Sequence, residues 1–185
     1  MDHKDWDILE TETVHDAGWL KLRRERCRTN TGQIIDPYYI LDFGGWVLTI
    51  PVTVDGRLLL LEHYRHGLRQ ISWEFPSGLG EPGEEPIAGA ERELLEETGY
   101  AGDNSRLLGK LAPNPAIQSN WMSVVLITDA RPVAKPTLEP GEELKVHLLT
   151  LDQVEQMVSD GRMFHALNVA AFSLARARHA FSDII

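Results

Sequence analysis

Residues 78–100 read GLGEPGEEPIAGAERELLEETGY, a glycine-rich loop running into a segment built to be a helix. Pro86 fits a first helical position, where its missing N–H costs nothing, and Gly99 fits a left-handed stop. Between them Ile87, Ala90 and Leu94 recur at spacings of three and four, which predicts one buried stripe. Glu93 precedes Glu96 by three residues and Glu97 by four, so these carboxylates project as neighbours.

Stacked like charges cost a helix roughly 0.2–0.5 kcal/mol per pair. A hard divalent cation would relieve that repulsion, since carboxylate oxygens suit magnesium or manganese and leave coordination positions for water and substrate phosphate. A solvated acidic face is the other reading that the carboxylates alone permit.

Taken with its loop, the stretch resembles the Nudix box of the Nudix hydrolases. Gly78, Glu84, Arg92-Glu93-Leu94, Glu96-Glu97 and Gly99 fill every fixed position, and Tyr100 stands where an aliphatic residue is commoner. The resemblance implies an α/β (α+β) fold, an α/β/α sandwich with a mixed β-sheet and the box as loop, helix and loop. It also implies an enzyme that hydrolyses nucleotide pyrophosphates with Mg2+, or Mn2+, as cofactor. In that reading Glu93 and Glu97 are the principal metal ligands, and Glu96 is a third ligand or water-bridged partner close to the chemistry. The Ser77 carbonyl is a further ligand, Arg92 orients the carboxylates and Glu84 is structural.

Outside the box, Glu62-His-Tyr-Arg65 and Trp73-Glu-Phe-Pro-Ser-Gly78 look like segments of the ADP-ribose and nucleotide-sugar pyrophosphatase branch, as does Pro115. The resemblance makes Arg65 the grip on the diphosphate and Glu142 the carboxylate that assists the attacking water, with Glu143 its alternative. Tyr38, Tyr39 and Trp121 offer rings for a nucleobase, or simply pack in a core. The substrate expected is ADP-ribose or a nucleoside diphosphate hexose, cut to nucleoside monophosphate and sugar phosphate. The alternatives are another nucleotide pyrophosphate, such as a dinucleoside polyphosphate or NADH, or a module that senses the nucleotide without cutting it.

Gly78, Gly80 and Gly83 also satisfy the G-x-G-x-x-G dinucleotide pattern. Glu84 and Glu85 already occupy the positive end of the helix dipole there, which disfavours a docked pyrophosphate. His63 and His66 lack partners at zinc spacing, and Gly109-Lys110 lacks the rest of a P-loop.

The chain of 185 residues, 43% hydrophobic and 25% charged, suits one soluble domain with a proper core. A net charge of −10 argues against a nucleic-acid polymer as partner. It leaves room for a small anionic substrate held by metal ions and a few arginines. Apolar runs are strand-sized, so no membrane span is expected, and the first residues lack a signal-peptide layout. Lone Cys27 agrees with a reducing, cytoplasmic location.

Strands are expected at Trp6–Val14, Trp19–Cys27, Ile34–Phe43 (an edge or interrupted strand because of Pro37), Trp46–Val54, Leu58–Tyr64, Ile71–Phe75, Leu107–Leu111, Ser123–Thr128 and Leu144–Thr150. Asp55-Gly56 is the strongest hairpin signal. Thr150 with Gln153 predicts a capping box opening a helix to about Val158. A last helix is expected from Phe164 to about Phe181, with Leu167, Ala170, Ala171, Leu174 and Phe181 on its buried stripe. Residues 1–44 form N-terminal strands and a dimer arm, residues 45–185 the hydrolase domain, and the branch resemblance makes the expected assembly a homodimer.

Overall fold

The computed structural model describes residues 5–139 and 141–182. Two compact units emerge, one made of Met1–Gly45 with Ala112–Trp121, the other of Trp46–Leu111 with Met122–Ile185.

In the first unit β1 (Asp7–Asp16), β2 (Leu20–Arg28) and β3 (Ile34–Phe43) form a three-stranded antiparallel sheet in chain order. Pro37 lies in β3, an edge strand, where the register with β2 shifts by one residue between the Glu25–Tyr38 and Cys27–Ile35 pairs. An edge bulge is where a residue without an N–H does least harm. Segment 112–121 is tied to β3 by backbone bonds, the Leu41 N–H donating to the Ile117 carbonyl at 2.7 Å and the Ser119 N–H to the Leu41 carbonyl at 3.3 Å. The Ser119 hydroxyl adds a bond to Asp42 at 2.6 Å, and Asp42 is also held by Arg23.

The second unit carries an eight-stranded mixed sheet. Its elements are β4 (Trp46–Thr53), β5 (Leu58–Arg65), β6 (Gln70–Glu74), β7 (Ser77–Leu79), α1 (Pro86–Thr98), β8 (Tyr100–Ala101), β9 (Asn104–Leu111), β10 (Met122–Pro132), β11 (Leu144–Leu149), α2 (Leu151–Ser159) and α3 (Ala166–Ala177). The order is β11-β5-β4-β10-β8, with β6 on β5, β7 on β4 and β9 on β10; only β4 and β10 run parallel.

Strand alternation sorts the apolar residues onto two faces. Leu48, Ile50, Leu58, Leu60, Val124 and Leu126 meet Val154, Met157, Ala171 and Phe172 from α2 and α3. Val47, Leu59, Leu61, Val125 and Ile127 meet Ala90 and Leu94 of α1. This is the expected α/β/α sandwich.

Three expectations need correction. Ile87 is 36% exposed, and Gly89 stands with Ala90 and Leu94 on the buried side. The last helix stops at Ala177, and its buried residues are Asn168, Ala171, Phe172 and Ala175, whereas Leu167, Ala170 and Leu174 are only half-buried. The Asp55-Gly56 turn forms, with the Thr53 N–H donating to the Arg57 carbonyl at 2.8 Å. Yet β4 and β5 pair only at Val52 and Leu58, because β4 turns to β7 and β10 instead.

Candidate active site

Strand β4 positions the loop and the helix that carry the box residues. The β4 backbone pairs with β7 through Val47–Gly78 and Leu48–Ser77, and the Thr49 N–H donates to the Pro76 carbonyl at 2.8 Å. The buried Thr49 hydroxyl then donates to the Ala90 carbonyl of α1 at 3.0 Å. Loop and helix are thereby fixed to the same short stretch, residues 47–49. The helix starts with Pro86 and ends at Gly99, whose φ of +74° closes a bond from its N–H to the Leu95 carbonyl at 2.8 Å.

Against this frame the carboxylates divide. Arg92 bonds Glu84 at 3.0 Å, Glu93 Oε1 at 2.8 Å and Glu96 Oε2 at 2.9 Å. Glu84 also accepts the Glu81 N–H at 2.9 Å, which pins the loop before the helix. Among the described residues no cation is bonded to Glu97; its Oε2 accepts the Ser77 N–H at 2.9 Å. Burial pushes the Glu97 carboxyl up to about 8, and the charges of Glu93 and Glu142 add to the rise. Burial likewise raises Glu93, against the pull of Arg92. A Cβ at Gly78 would overlap the Glu93 carboxylate, so any larger residue there displaces that side chain.

Among the described residues no three His, Cys, Asp or Glu side chains form a ready-made metal cage. Arg92 supplies the counter-charge for Glu93 and Glu96. The donor set nevertheless suits a hard divalent cation. Glu93 Oε2 and Glu97 Oε1 make no bond with the described residues, both carboxyls are raised by burial, and backbone of Ser77-Gly78 lies directly against them.

Glu142 lies on the loop between β10 and β11. That loop straps the C-terminal end of α1: the N–H groups of Val133 and Ala134 donate to the Gly99 carbonyl at 2.9 and 3.1 Å, and that of Thr137 to the Glu96 carbonyl at 2.8 Å. Farther on, Glu142 Oε2 accepts the Glu139 N–H at 2.8 Å. Its charge acts on Glu93, Glu97, Arg65 and His63, so the carboxylate stands near all four. Glu143 is exposed.

Arg65 is engaged by Glu74, which accepts from Nε at 2.8 Å and from Nη2 at its other oxygen. Reading the sequence did not single out Glu74. Its signal was an acid at the end of a short strand, two residues on from buried Ser72 and therefore on the same side.

The remaining candidates belong to the first unit. Trp121 is 57% exposed, Pro115 lies in an exposed turn, and the Tyr38 hydroxyl donates to the Ala116 carbonyl while its ring meets Trp6 edge-on.

A helix sets its glutamates against a glycine-containing loop on one face of a mixed sheet, a donor arrangement whose chemistry suits a hard cation and a phosphate. Residues 46–168 match the NUDIX domain, and residues 6–41 match the nucleoside diphosphate sugar hydrolase N-terminal domain. The chain belongs to the Nudix family of hydrolases. It is 27% identical over 172 residues to the ADP-ribose pyrophosphatase of Mycobacterium tuberculosis (strain ATCC 25618 / H37Rv), covering 92% of this chain and 83% of the relative. With the ADP compounds hydrolase NudE of Escherichia coli (strain K12) it shares 32% identity over 130 residues, or 70% of this chain and 69% of that protein. A crystal structure of an ADP compounds hydrolase superposes with a TM-score of 0.84 at 26% identity, covering 98% of both chains.

Proposed function

We propose that this Nudix hydrolase cleaves the diphosphate of a nucleoside diphosphate sugar, ADP-ribose or an NDP-hexose, giving nucleoside monophosphate and sugar phosphate. The observation that carries the reading is the Glu93–Glu97 pair, two carboxyls raised by burial within reach of a third, Glu142. Arg92 offsets the charge of Glu93, whereas buried Glu97 is favoured as an anion by a further cation beside it. Glu93 and Glu97, with Glu96 and the Ser77 carbonyl, would hold Mg2+, or Mn2+ in its place. Once bound, the ion supplies Lewis acidity that neutralises charge on the diphosphate oxygens.

The protein's own groups do the rest. Arg65, with part of its guanidinium exposed, grips the diphosphate. Glu142 takes the proton of the attacking water at Oε1 while Oε2 stays tied to the Glu139 amide. The P–O bond to the leaving phosphate breaks as that water adds.

The names of the relatives support ADP-containing substrates over other nucleotides. Exposed Trp6, Ile8, Val14 and Trp19 along β1 and its turn support a homodimer through the N-terminal strands. The lone cysteine supports a cytoplasmic setting.

Purified protein is to be assayed on ADP-ribose, NDP-hexoses, NADH, dinucleoside polyphosphates and nucleoside triphosphates, with Mg2+ and with EDTA. Release of AMP and ribose 5-phosphate from ADP-ribose, abolished by EDTA, is the expected result. Preference for NADH or dinucleoside polyphosphates would move the substrate. Tight ADP-ribose binding without turnover would make the protein a sensor.

A further inference from the structure

Glu74 is 1% exposed, at the end of the short strand β6. Burial alone would push its carboxyl up, but the Arg65 guanidinium more than offsets this and holds it below the usual range. An ion pair with its carboxylate buried is an inefficient way to stabilise a fold, since the cost of desolvating that carboxylate offsets much of the attraction. Its geometry suggests another use.

The register sets Glu74 opposite Leu61, four residues back along β5 from Arg65. The two bonds therefore draw the Arg65 side chain back along its strand rather than letting it extend to solvent. They occupy Nε and one side of Nη2, leave Nη1 without a partner among the described residues, and leave the side chain 39% exposed. The guanidinium also lies within the electrostatic reach of Glu97 and Glu142. An arginine so placed, with nothing to hold it, would fold onto those carboxylates and cancel the charge they need for a cation. A bidentate carboxylate behind it prevents this and fixes the plane of the fork.

We infer that Glu74 is a positioning residue: it clamps the inner edge of the Arg65 guanidinium so that the outer N–H groups face the cleft as a preformed receptor for a diphosphate, and keeps that cation off Glu97 and Glu142. The inference rests on the diphosphate reading above and adds to it a residue that never touches the substrate.

The test is a double-mutant cycle with Glu74→Gln, Arg65→Ala and the double variant, assayed on ADP-ribose at saturating Mg2+. Because the fork binds the diphosphate alike before and during reaction, Glu74→Gln should raise KM about tenfold or more with kcat within about threefold of wild type. In the Arg65→Ala background, which itself raises KM, the same change should move KM by less than about twofold. A fall in kcat and melting temperature with unchanged KM, or effects that multiply in the double variant, would reduce Glu74 to a structural residue. Should Glu74→Gln not fold, Arg65→Lys decides: a KM as high as that of Arg65→Ala supports the clamp, and a wild-type KM overturns it. If wild-type protein turns over none of the diphosphates, the substrate assignment fails by itself. The clamp is then read from calorimetric binding of ADP, weakened about tenfold in Glu74→Gln if it holds and unchanged or absent in wild type if it does not.

Discussion

The Ser77 amide donates to the Glu97 carboxylate across 2.9 Å, joining the loop before the helix to its last turn. This bond orients Glu97 without neutralising it, since an amide carries no net charge. Replacing Glu97 by Gln keeps that acceptor and removes the anion. We expect kcat to fall roughly a thousandfold, in line with a metal contribution of several kcal/mol, while the protein without metal melts no lower than wild type at pH 8. Steady-state kinetics and calorimetry check both halves.

The pH response follows from the same carboxyl, which titrates at about 8 in the fold against 4.5 ordinarily. Below the lower value both folded and unfolded chains hold the proton, and between the two values only the folded chain does. Stability therefore declines as pH rises through that window. In EDTA the melting temperature of wild type should drop, relative to Glu97→Gln, between about pH 5 and pH 8, and Mg2+ should restore it at the upper end. Parallel curves for the two proteins would contradict this.

Gly78 leaves no room for a Cβ beside Glu93. Gly78→Ala should push that carboxylate aside and weaken Mn2+ binding about 10–100-fold, the range typical of disturbed supports around metal ligands. Titration of Mn2+ followed by electron paramagnetic resonance measures it directly.

At Gly99 the backbone has φ +74° and a Cβ would overlap the Ala134 carbonyl oxygen. Gly99→Ala should cost about 1–2 kcal/mol in the left-handed conformation alone. It should also loosen the strap that leads to Glu142, so kcat should fall while Mn2+ affinity changes little. Equal losses in both would mean that the helix itself has moved.

Asn168 Oδ1 accepts the buried Phe75 N–H at 2.7 Å, fixing the strand end just before the loop. Asn168→Ala strands that donor and should destabilise the protein by about 1–3 kcal/mol in urea.

Where the chain is punctuated by residues with restricted backbones, its structure could be read directly. Pro86 and Gly99 gave both ends of α1, and the reciprocal Thr150–Gln153 bonds gave the start of α2. The box glutamates stood out only together with Gly78, Glu84, Arg92 and Gly99, since carboxylates on one helical face alone also read as a solvated surface. The phase of α3 was not, since ALNVAAFSLARA is apolar on most sides and its one amide reads as surface, whereas Asn168 is buried to serve Phe75. β7 and β8, three and two residues long, are too short for any periodicity. The role of Glu74 depends on which strands pair, and no local pattern encodes that.

Segment 112–121 belongs to the N-terminal unit though it lies far along the chain. A transplant of residues 1–45 onto another scaffold would leave the Leu41 amide and carbonyl without the Ile117 and Ser119 groups that satisfy them. Grafting experiments, and recombination in evolution, must therefore carry both pieces together, which makes this arm a poor candidate for exchange as a cassette.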